Sequence, residues 1–202
     1  MNYTNRKPFA PNEQKPVGRF RPQLAFYKAN AKGTGSACKF ELHPAHDDVD
    51  GSIFASFANQ LTVGDRRGPN PTYATFDWEK RITVKLDFND LCKILQVLRG
   101  ECESIEGNEG LIHMNGDFCT RIKFSHHVDP SSGYLMELFR TRRNSNEDGY
   151  GTYMFFSNWE ALGLCESIAG SMSVVAFGQP MVIPHVAREQ GAEGNAAHER
   201  AA

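Results

Sequence analysis

The chain has 202 residues, of which 40% are hydrophobic and 23% are charged, and its formal net charge is −2. This length and composition predict one soluble globular domain that buries its own core without a metal or disulfide to hold it together. No apolar stretch approaches the roughly 18–20 residues of a membrane-spanning helix, so we expect no contact with a membrane. The five cysteines are scattered singly, which is typical of reduced thiols in a cytosolic compartment.

The charge is unevenly distributed along the chain. Residues 1–28 carry a net charge of +5, residues 185–202 carry −1, and the segment between them carries −6. Proteins that bind duplex DNA usually have a strongly basic domain, and this central segment is acidic. Binding of nucleic acid would therefore have to depend on local basic patches and on base stacking.

The two ends of the sequence differ in composition from its middle. Residues 1–22 contain four prolines and few apolar residues, which predicts a flexible basic arm. Residues 186–202 lack any core-forming period and are predicted to be a disordered tail, so the folded domain is assigned to residues 23–185. The first residues resemble neither a secretory signal nor an organelle transit peptide, and we expect a cytoplasmic protein of prokaryotic or phage origin.

The first half of the folded segment predicts four strands. Apolar and polar residues alternate, or short apolar runs lie between turn signals, at positions 24–28, 37–42, 52–58 and 81–88. Alternation in the last of these stretches would place four apolar residues on one face: Ile82, Val84, Leu86 and Phe88.

A helix is predicted directly after these strands. Leucine and isoleucine recur at positions 91, 94, 95 and 98, which is the spacing of one helical face. Asn89 or Asp90 would cap its start, and Gly100 would end it.

The second half repeats this order. Strands are predicted at 110–115, 120–125, 134–141 and 152–156, and a second helix follows. Ser157 and Glu160 fit a capping box at the start of that helix. Four strands and a helix thus occur twice, offset by about 70 residues, which predicts a duplicated α+β architecture.

Three segments and the last helix add residue patterns to this order of elements. The segments are 27–37 (YKANAKGTGSA), 76–84 (FDWEKRITV) and the hairpin 121–138, and the helix, 159–178, ends in small residues. Together with the repeated order of strands and helix, they resemble the Whirly family of single-stranded DNA-binding proteins over residues 24–178. The pattern is also similar to their structural relatives, the kinetoplastid RNA-binding editing chaperones and the positive-cofactor-type transcription factors.

The resemblance implies a fold of two antiparallel four-stranded sheets with two helices, assembling into a homotetramer through the helices. It also implies binding of single-stranded DNA with little sequence preference during replication, recombination or repair. One departure is Thr34, which stands where the family has the second lysine of Lys-Gly-Lys-Ala-Ala. In plant members that lysine is linked to assembly beyond the tetramer, so the resemblance does not extend to larger rings.

Strand alternation predicts which basic side chains leave the core to contact phosphates. If Ile82 and Ile122 face inward, the basic residues beside them face outward. Alternation gives five outward basic residues, and Lys28 and Lys32 are added to them. The predicted phosphate contacts are Lys28, Lys32, Lys39, Arg81, Lys85, Arg121 and Lys123. The alternative is that these side chains only solvate the sheets.

Four aromatic side chains are predicted to stack on bases. Phe54 and Phe139 are out of phase with the apolar residues of their own strands, and an exposed aromatic residue on a strand indicates a partner. The predicted stacking residues are Tyr27, Phe54, Trp78 and Phe139. The alternative is that they belong to the core or to subunit contacts.

Other functional hypotheses have less support in the sequence than binding of nucleic acid. His43, His46 and Asp47 are legitimate ligands of a divalent metal and would allow a metal-dependent hydrolase, but turn-forming loops share this composition. The glycine-rich segment 33–36 is followed by a strand and lacks the residues of a nucleotide-binding loop. No catalytic arrangement is recognisable, so we expect neither an enzyme nor a cofactor. An RNA-annealing chaperone and a transcription regulator remain open on the same scaffold.

Overall fold

The computed structural model describes residues 23–178, apart from 66, 68, 108, 129, 130 and 144–148. The predicted arm, 1–22, and the predicted tail, 186–202, lie outside the described residues. Their boundaries therefore remain predictions.

The first half of the chain forms an antiparallel sheet. Its strands are β1 (Gln23–Lys28), β2 (Ser36–His43), β3 (Ser52–Thr62), β4 (Thr75–Phe76) and β5 (Ile82–Leu86). β1, β2 and β3 are consecutive neighbours, and β4 and β5 both pair with the far edge of β3. The four predicted strands are confirmed. β4 was not predicted, because two residues are too short to show alternation.

Helix α1 (Phe88–Leu98) follows β5, and its start differs from the sequence prediction. The N-cap is Asp87, whose carboxylate accepts a hydrogen bond from the backbone of Asp90, while the Asp90 side chain accepts one from the backbone of Asp87. The predicted caps, Asn89 and Asp90, are therefore wrong by two or three positions. Phe88 begins the helix and is 43% exposed, so its predicted inward position in the strand is also wrong. Gly100 has φ +72, and its left-handed conformation ends the helix as predicted.

The second half forms a four-stranded antiparallel sheet in which consecutive strands are neighbours. Its strands are β6 (Leu111–Asn115), β7 (Phe118–His127), β8 (Gly133–Arg142) and β9 (Tyr150–Ser157). Ile122 and Phe124 are buried, as the alternation predicts. The predicted fold class, two antiparallel sheets with two helices, is confirmed.

Helix α2 (Asn158–Phe177) begins at the predicted capping box of Ser157 and Glu160. With 20 residues and a mean hydropathy of 1.3, it is long and apolar enough to cross a membrane, contrary to the expectation from the sequence. A core helix can have the same length and composition. Here Ala161, Leu164 and Ile168 are buried in the core, and the helix contacts α1, β2, β8 and β9.

The core lies between the inner faces of the two sheets and the two helices. Its largest fully buried side chains come from both halves of the chain: Phe57, Phe124, Phe156, Ile82, Leu86, Leu91, Ile94, Ile122, Met136, Leu138, Met154 and Leu164. All five cysteines are free thiols. Because one core contains residues of both halves, the duplicated units form a single domain.

Polar contacts on the inner side also join the two halves. The guanidinium of Arg140 on β8 donates to the Thr83 carbonyl of β5 at 2.8 Å and to Thr120 Oγ1 at 3.1 Å, and burial lowers the pKa of Arg140. His113 on β6 lies 3.0 Å from the carboxylate of Asp90 on α1, and this hydrogen bond raises the pKa of His113. These contacts leave the opposite, outer face of each sheet free for other roles.

Candidate nucleic-acid interface

The outer face of the first sheet carries most of the predicted residues from the first half. Cys38 and Phe40 of β2 are buried, so Lys39 between them points outward, as predicted. The register pairs Phe54 of β3 with Lys85 of β5, which brings these two side chains to the same face. Alternation within each strand thus aligns basic and aromatic residues on one surface.

A cluster of aromatic residues occupies one end of this face. Tyr27 is 56% exposed, and its ring centroid lies 5.7 Å from that of Phe76. The ammonium of Lys39 lies 4.4 Å from the ring centroid of Trp78, a cation–π contact. Arg81 donates from Nη1 to the Trp78 carbonyl at 2.7 Å. The structure therefore brings these predicted residues together, and Lys39 already covers part of the Trp78 ring.

Phe54 is less available for stacking than Tyr27. It is only partly exposed, and its ring centroid lies 4.4 Å from that of His43. His43 Nε2 lies 2.9 Å from a carboxylate oxygen of Glu41, so this histidine is directed toward a neighbour on the same strand.

The other two predicted metal ligands, His46 and Asp47, lie in the following loop. Nδ1 of His46 is 3.8 Å from a carboxylate oxygen of Asp47. Among the described residues, no group of three or more histidine, cysteine or acidic side chains is arranged to hold a metal.

The outer face of the second sheet presents two rows of side chains across three strands. One row is Arg121, Phe139 and Gly151, and the next is Lys123, Glu137 and Tyr153. They line an open hollow of about 420 Å³. Phe139 is 49% exposed and Tyr153 46% exposed. The hollow thus combines two basic groups with two accessible aromatic rings.

Gly151 of β9 and Gly149, just before that strand, leave room for the Phe139 ring to lie over this part of the chain. A Cβ atom at Gly151 would come within 3.2 Å of this ring, and one at Gly149 would collide with it. One side of the ring therefore covers glycine backbone, while the other faces solvent. A larger residue at either position would displace the ring.

The loop between β1 and β2 is held in place by amide side chains and adjoins the hollow. The side-chain oxygen of Gln60, Oε1, accepts hydrogen bonds from the backbone N–H groups of Asn30 (2.9 Å) and Gly35 (3.1 Å). The Asn30 side-chain oxygen accepts from the backbone of Lys32 and Thr34. These bonds leave the Lys32 side chain exposed, at the rim of the outer surface.

Two hydrogen bonds form a seam between the second sheet and the first half of the chain. Tyr153 Oη donates to the Thr34 carbonyl at 3.1 Å, and Asn59 Nδ2 donates to the Gly151 carbonyl at 3.0 Å. Burial and the nearby carboxylate of Asp77 raise the pKa of Tyr150 beside this seam. Through Tyr153, the hollow of the second sheet therefore adjoins the loop that carries Lys32.

Lys28 is separated from the other predicted phosphate contacts. Tyr27 points outward, so Lys28 points to the helix side, where its ammonium lies 2.5 Å from Glu160 of α2. It also lies 5.9 Å from the centroid of the Trp159 ring. Sequence reasoning could not detect this pairing, because the two residues are 132 positions apart.

Three contributors to this surface were missed from the sequence. Tyr153 lies out of phase with Thr152 and Met154, the same signal that identified Phe139. The short strand that positions Phe76 shows no alternation. The glycines below Phe139 could not be assigned, because the register between strands is not visible in the sequence.

The fold defined by this arrangement is that of the Whirly proteins, and solved structures of three of them are similar to it. WHY1 from Arabidopsis thaliana has a TM-score of 0.62 and 16% identity, with 79% of this chain and 88% of that chain covered. WHY3 from the same plant has a TM-score of 0.59 and 15% identity, covering 80% and 92%. The plant transcriptional regulator PBF-2 has a TM-score of 0.55 and 15% identity, covering 79% and 84%. At these identities the similarity establishes the Whirly-like fold.

Comparison of the sequence with protein-family models and with curated proteins finds no match.

Proposed function

We propose that this protein binds single-stranded DNA with little sequence preference and protects it during replication, recombination or repair. The observation that carries the proposal is the second sheet's outer face, where Arg121 and Lys123 flank the accessible rings of Phe139 and Tyr153. Neither basic side chain has an ion pair among the described residues. The Whirly-like fold supports the same function.

The chemistry requires two kinds of contact. Arginine and lysine neutralise phosphates, and each base stacked on an aromatic ring contributes about 1–3 kcal/mol whatever its sequence. Stacking compensates for the weak overall charge of −2. The first sheet adds Tyr27, Trp78 and Lys85 to this surface. The function needs no catalysis and no cofactor.

We also propose that this protein assembles into a homotetramer through α2, and that it is a cytoplasmic protein of prokaryotic or phage origin. Trp159, Leu162 and Phe177 are 73%, 62% and 88% exposed on this helix. Gly163 and Gly170 lie in open space, where a second helix could approach closely. Burial of these apolar groups would favour association.

A transcription regulator is the second candidate, favoured by the similarity of the fold to the plant transcriptional regulator PBF-2. An RNA-annealing protein is also compatible with the same surface, because stacking does not depend on the 2′-hydroxyl.

Fluorescence anisotropy with labelled oligo-dT, oligo-U and duplex DNA of about 30 nucleotides, at two salt concentrations, tests the proposal. We expect tight, salt-sensitive binding to oligo-dT and much weaker binding to the duplex. Tighter binding to oligo-U would favour the RNA function. Weak binding to all three would contradict a nucleic-acid function.

The double variant Arg121→Ala/Lys123→Ala tests the surface itself. Affinity should fall to a similar extent for different single-stranded sequences, and the log–log salt dependence should flatten by about 0.7 for each phosphate that is no longer neutralised. The variant Lys93→Ala/Arg99→Ala, on α1 and at the residue that caps its end, removes the same charge away from this surface and is the control. Unchanged affinity of the first variant would mean that the strand binds elsewhere.

A further inference from the structure

The hollow on the second sheet contains one acidic side chain among its basic and aromatic residues. Glu137 lies on β8 two positions before Phe139, so both side chains are on the outer face, about 7 Å apart along the strand. A carboxylate at this position repels phosphates and therefore opposes the function of Arg121 and Lys123. Its presence beside the stacking ring points to a contact with something other than phosphate.

The carboxylate of Glu137 is available for such a contact. It is exposed, and among the described residues it takes no hydrogen bond or ion pair, although Lys123 lies directly opposite on β7 and Tyr153 on β9. An ionised carboxylate accepts hydrogen bonds through two oxygen atoms and donates none. It therefore binds best to a group that presents two parallel donors.

Guanine is the base that meets this requirement. Its Watson–Crick edge presents the N1–H and the N2 amino group side by side, and in a single strand this edge is accessible. Thymine presents one N–H between two carbonyl oxygens, which repel a carboxylate. Adenine and cytosine each present an amino group next to an acceptor nitrogen, which allows only one favourable bond.

We propose that Glu137 makes the hollow guanine-selective by accepting two hydrogen bonds from the edge of a guanine whose ring stacks on Phe139. The inference rests on the proposed single-strand binding and adds one selective position to a surface that is otherwise tolerant of sequence.

The geometry supports this pairing of roles. Gly149 and Gly151 support one side of the Phe139 ring and leave the other side exposed for a base. Glu137 lies next to that ring along the strand, within reach of the edge of a stacked base. Arg121, across from Phe139, is then free to contact the phosphate of the same nucleotide.

The test compares two 30-nucleotide strands by anisotropy, oligo-dT and a thymine strand with guanine at every third position, in lithium chloride to prevent quadruplexes. We expect the unmodified protein to bind the guanine-containing strand more tightly by roughly 5- to 150-fold, the range for a good bidentate contact to a base. Replacing guanine by hypoxanthine, which lacks the N2 amino group, should remove part of this preference.

Variants assign the preference to the carboxylate. Glu137→Gln and Glu137→Ala should lose most of the preference while retaining or slightly improving the affinity for oligo-dT, because a negative charge is removed. Glu101→Gln, an exposed acid after α1, should retain the preference and is the matched control.

Each outcome has a distinct meaning. Equal binding of the two strands by the unmodified protein would overturn the guanine selectivity and leave the proposed function standing. A preference that persists in both Glu137 variants would overturn the role of this residue. Failure to bind either strand would overturn the proposed function, and this inference with it.

Discussion

Phe139 illustrates how a strand can hold a single aromatic ring in place for the proposed ligand. On its own strand it points away from the core, on the side opposite to the buried Met136 and Leu138, and Gly151 with Gly149 gives the ring space. The ring is therefore held against backbone on one side and exposed on the other. An aromatic ring in this position loses little conformational freedom when a base stacks on it.

We expect Phe139→Ala to weaken binding of single-stranded DNA by about 1–3 kcal/mol, because the stacking surface is removed. Phe139→Tyr, which keeps the ring, should bind normally. Phe88→Ala removes a similarly exposed phenyl group from the start of α1, 43% exposed against 49% for Phe139, and is the control. Anisotropy with oligo-dT measures all three, and equal affinities would mean that no base stacks on Phe139.

The direction in which a side chain points from its strand was predictable from the sequence, whereas contacts between side chains of distant segments were not. The alternation of Ile122 and Phe124 correctly predicted that Arg121 points away from the core. Lys28 has the same charge, but its partner Glu160 is on another element, and only the folded chain brings them together. The binding roles of both basic residues stay predictions.

At the scale of elements, the start of α2 depends on one buried carboxylate. Glu160 accepts from the backbone and hydroxyl of Ser157, at 2.9 and 2.7 Å, and also from Lys28 of β1. Burial alone would raise the pKa of Glu160, but the hydrogen bonds from Lys28 and Ser157 outweigh it and lower the pKa below its ordinary value of 4.5. Glu160 thus caps a helix and attaches a strand to it.

We expect Glu160→Gln to destabilise the protein by about 1–3 kcal/mol at pH 7, because a buried charge-assisted network is broken. Since the folded-state pKa is lowered, the stabilisation is present above pH 4.5 and is lost as the pH falls through the folded-state pKa. The difference between the variant and the unmodified protein should therefore shrink as the pH is lowered below 4.5. Urea unfolding on both sides of that pH measures it, with Glu166→Gln on the exposed side of α2 as the control. A difference independent of pH would exclude an ionic role.

Helix boundaries illustrate why local patterns predict elements better than their ends. The apolar spacing predicted both helices, and Ser157 with Glu160 predicted the start of α2 correctly. In α1 the cap is Asp87, which alternation had assigned to a strand. An aspartate between a strand and a helix satisfies both patterns, so the boundary is decided by the backbone conformation.

At the scale of the whole molecule, α2 is the element whose exposed face requires an explanation. One side of the helix is in the core, yet Leu162 and Trp159 on the other side remain largely exposed. Apolar side chains that are exposed on a core helix favour association with another copy.

We expect Leu162→Glu to dissociate the proposed tetramer, because a charge within the proposed contact would be buried without a partner. The substitution leaves the isolated subunit folded, since this side chain is 62% exposed. Met114→Glu on β6, at a position 61% exposed, is the matched control. Light scattering coupled to size-exclusion chromatography measures the mass, and an unchanged tetramer, or a monomeric unmodified protein, would contradict assembly through α2.

The seam formed by Tyr153 with Thr34 and by Asn59 with Gly151 has a consequence for how the proposed ligand is held. Two proposed binding surfaces on sheets that are joined in this way behave as tethered sites with a high effective concentration for each other. A strand captured by one sheet is presented to the other without a second diffusional encounter. Long single strands that reach both sheets would therefore bind with higher avidity than short fragments that reach only one sheet. The length of a strand would then affect its affinity more than its base sequence does.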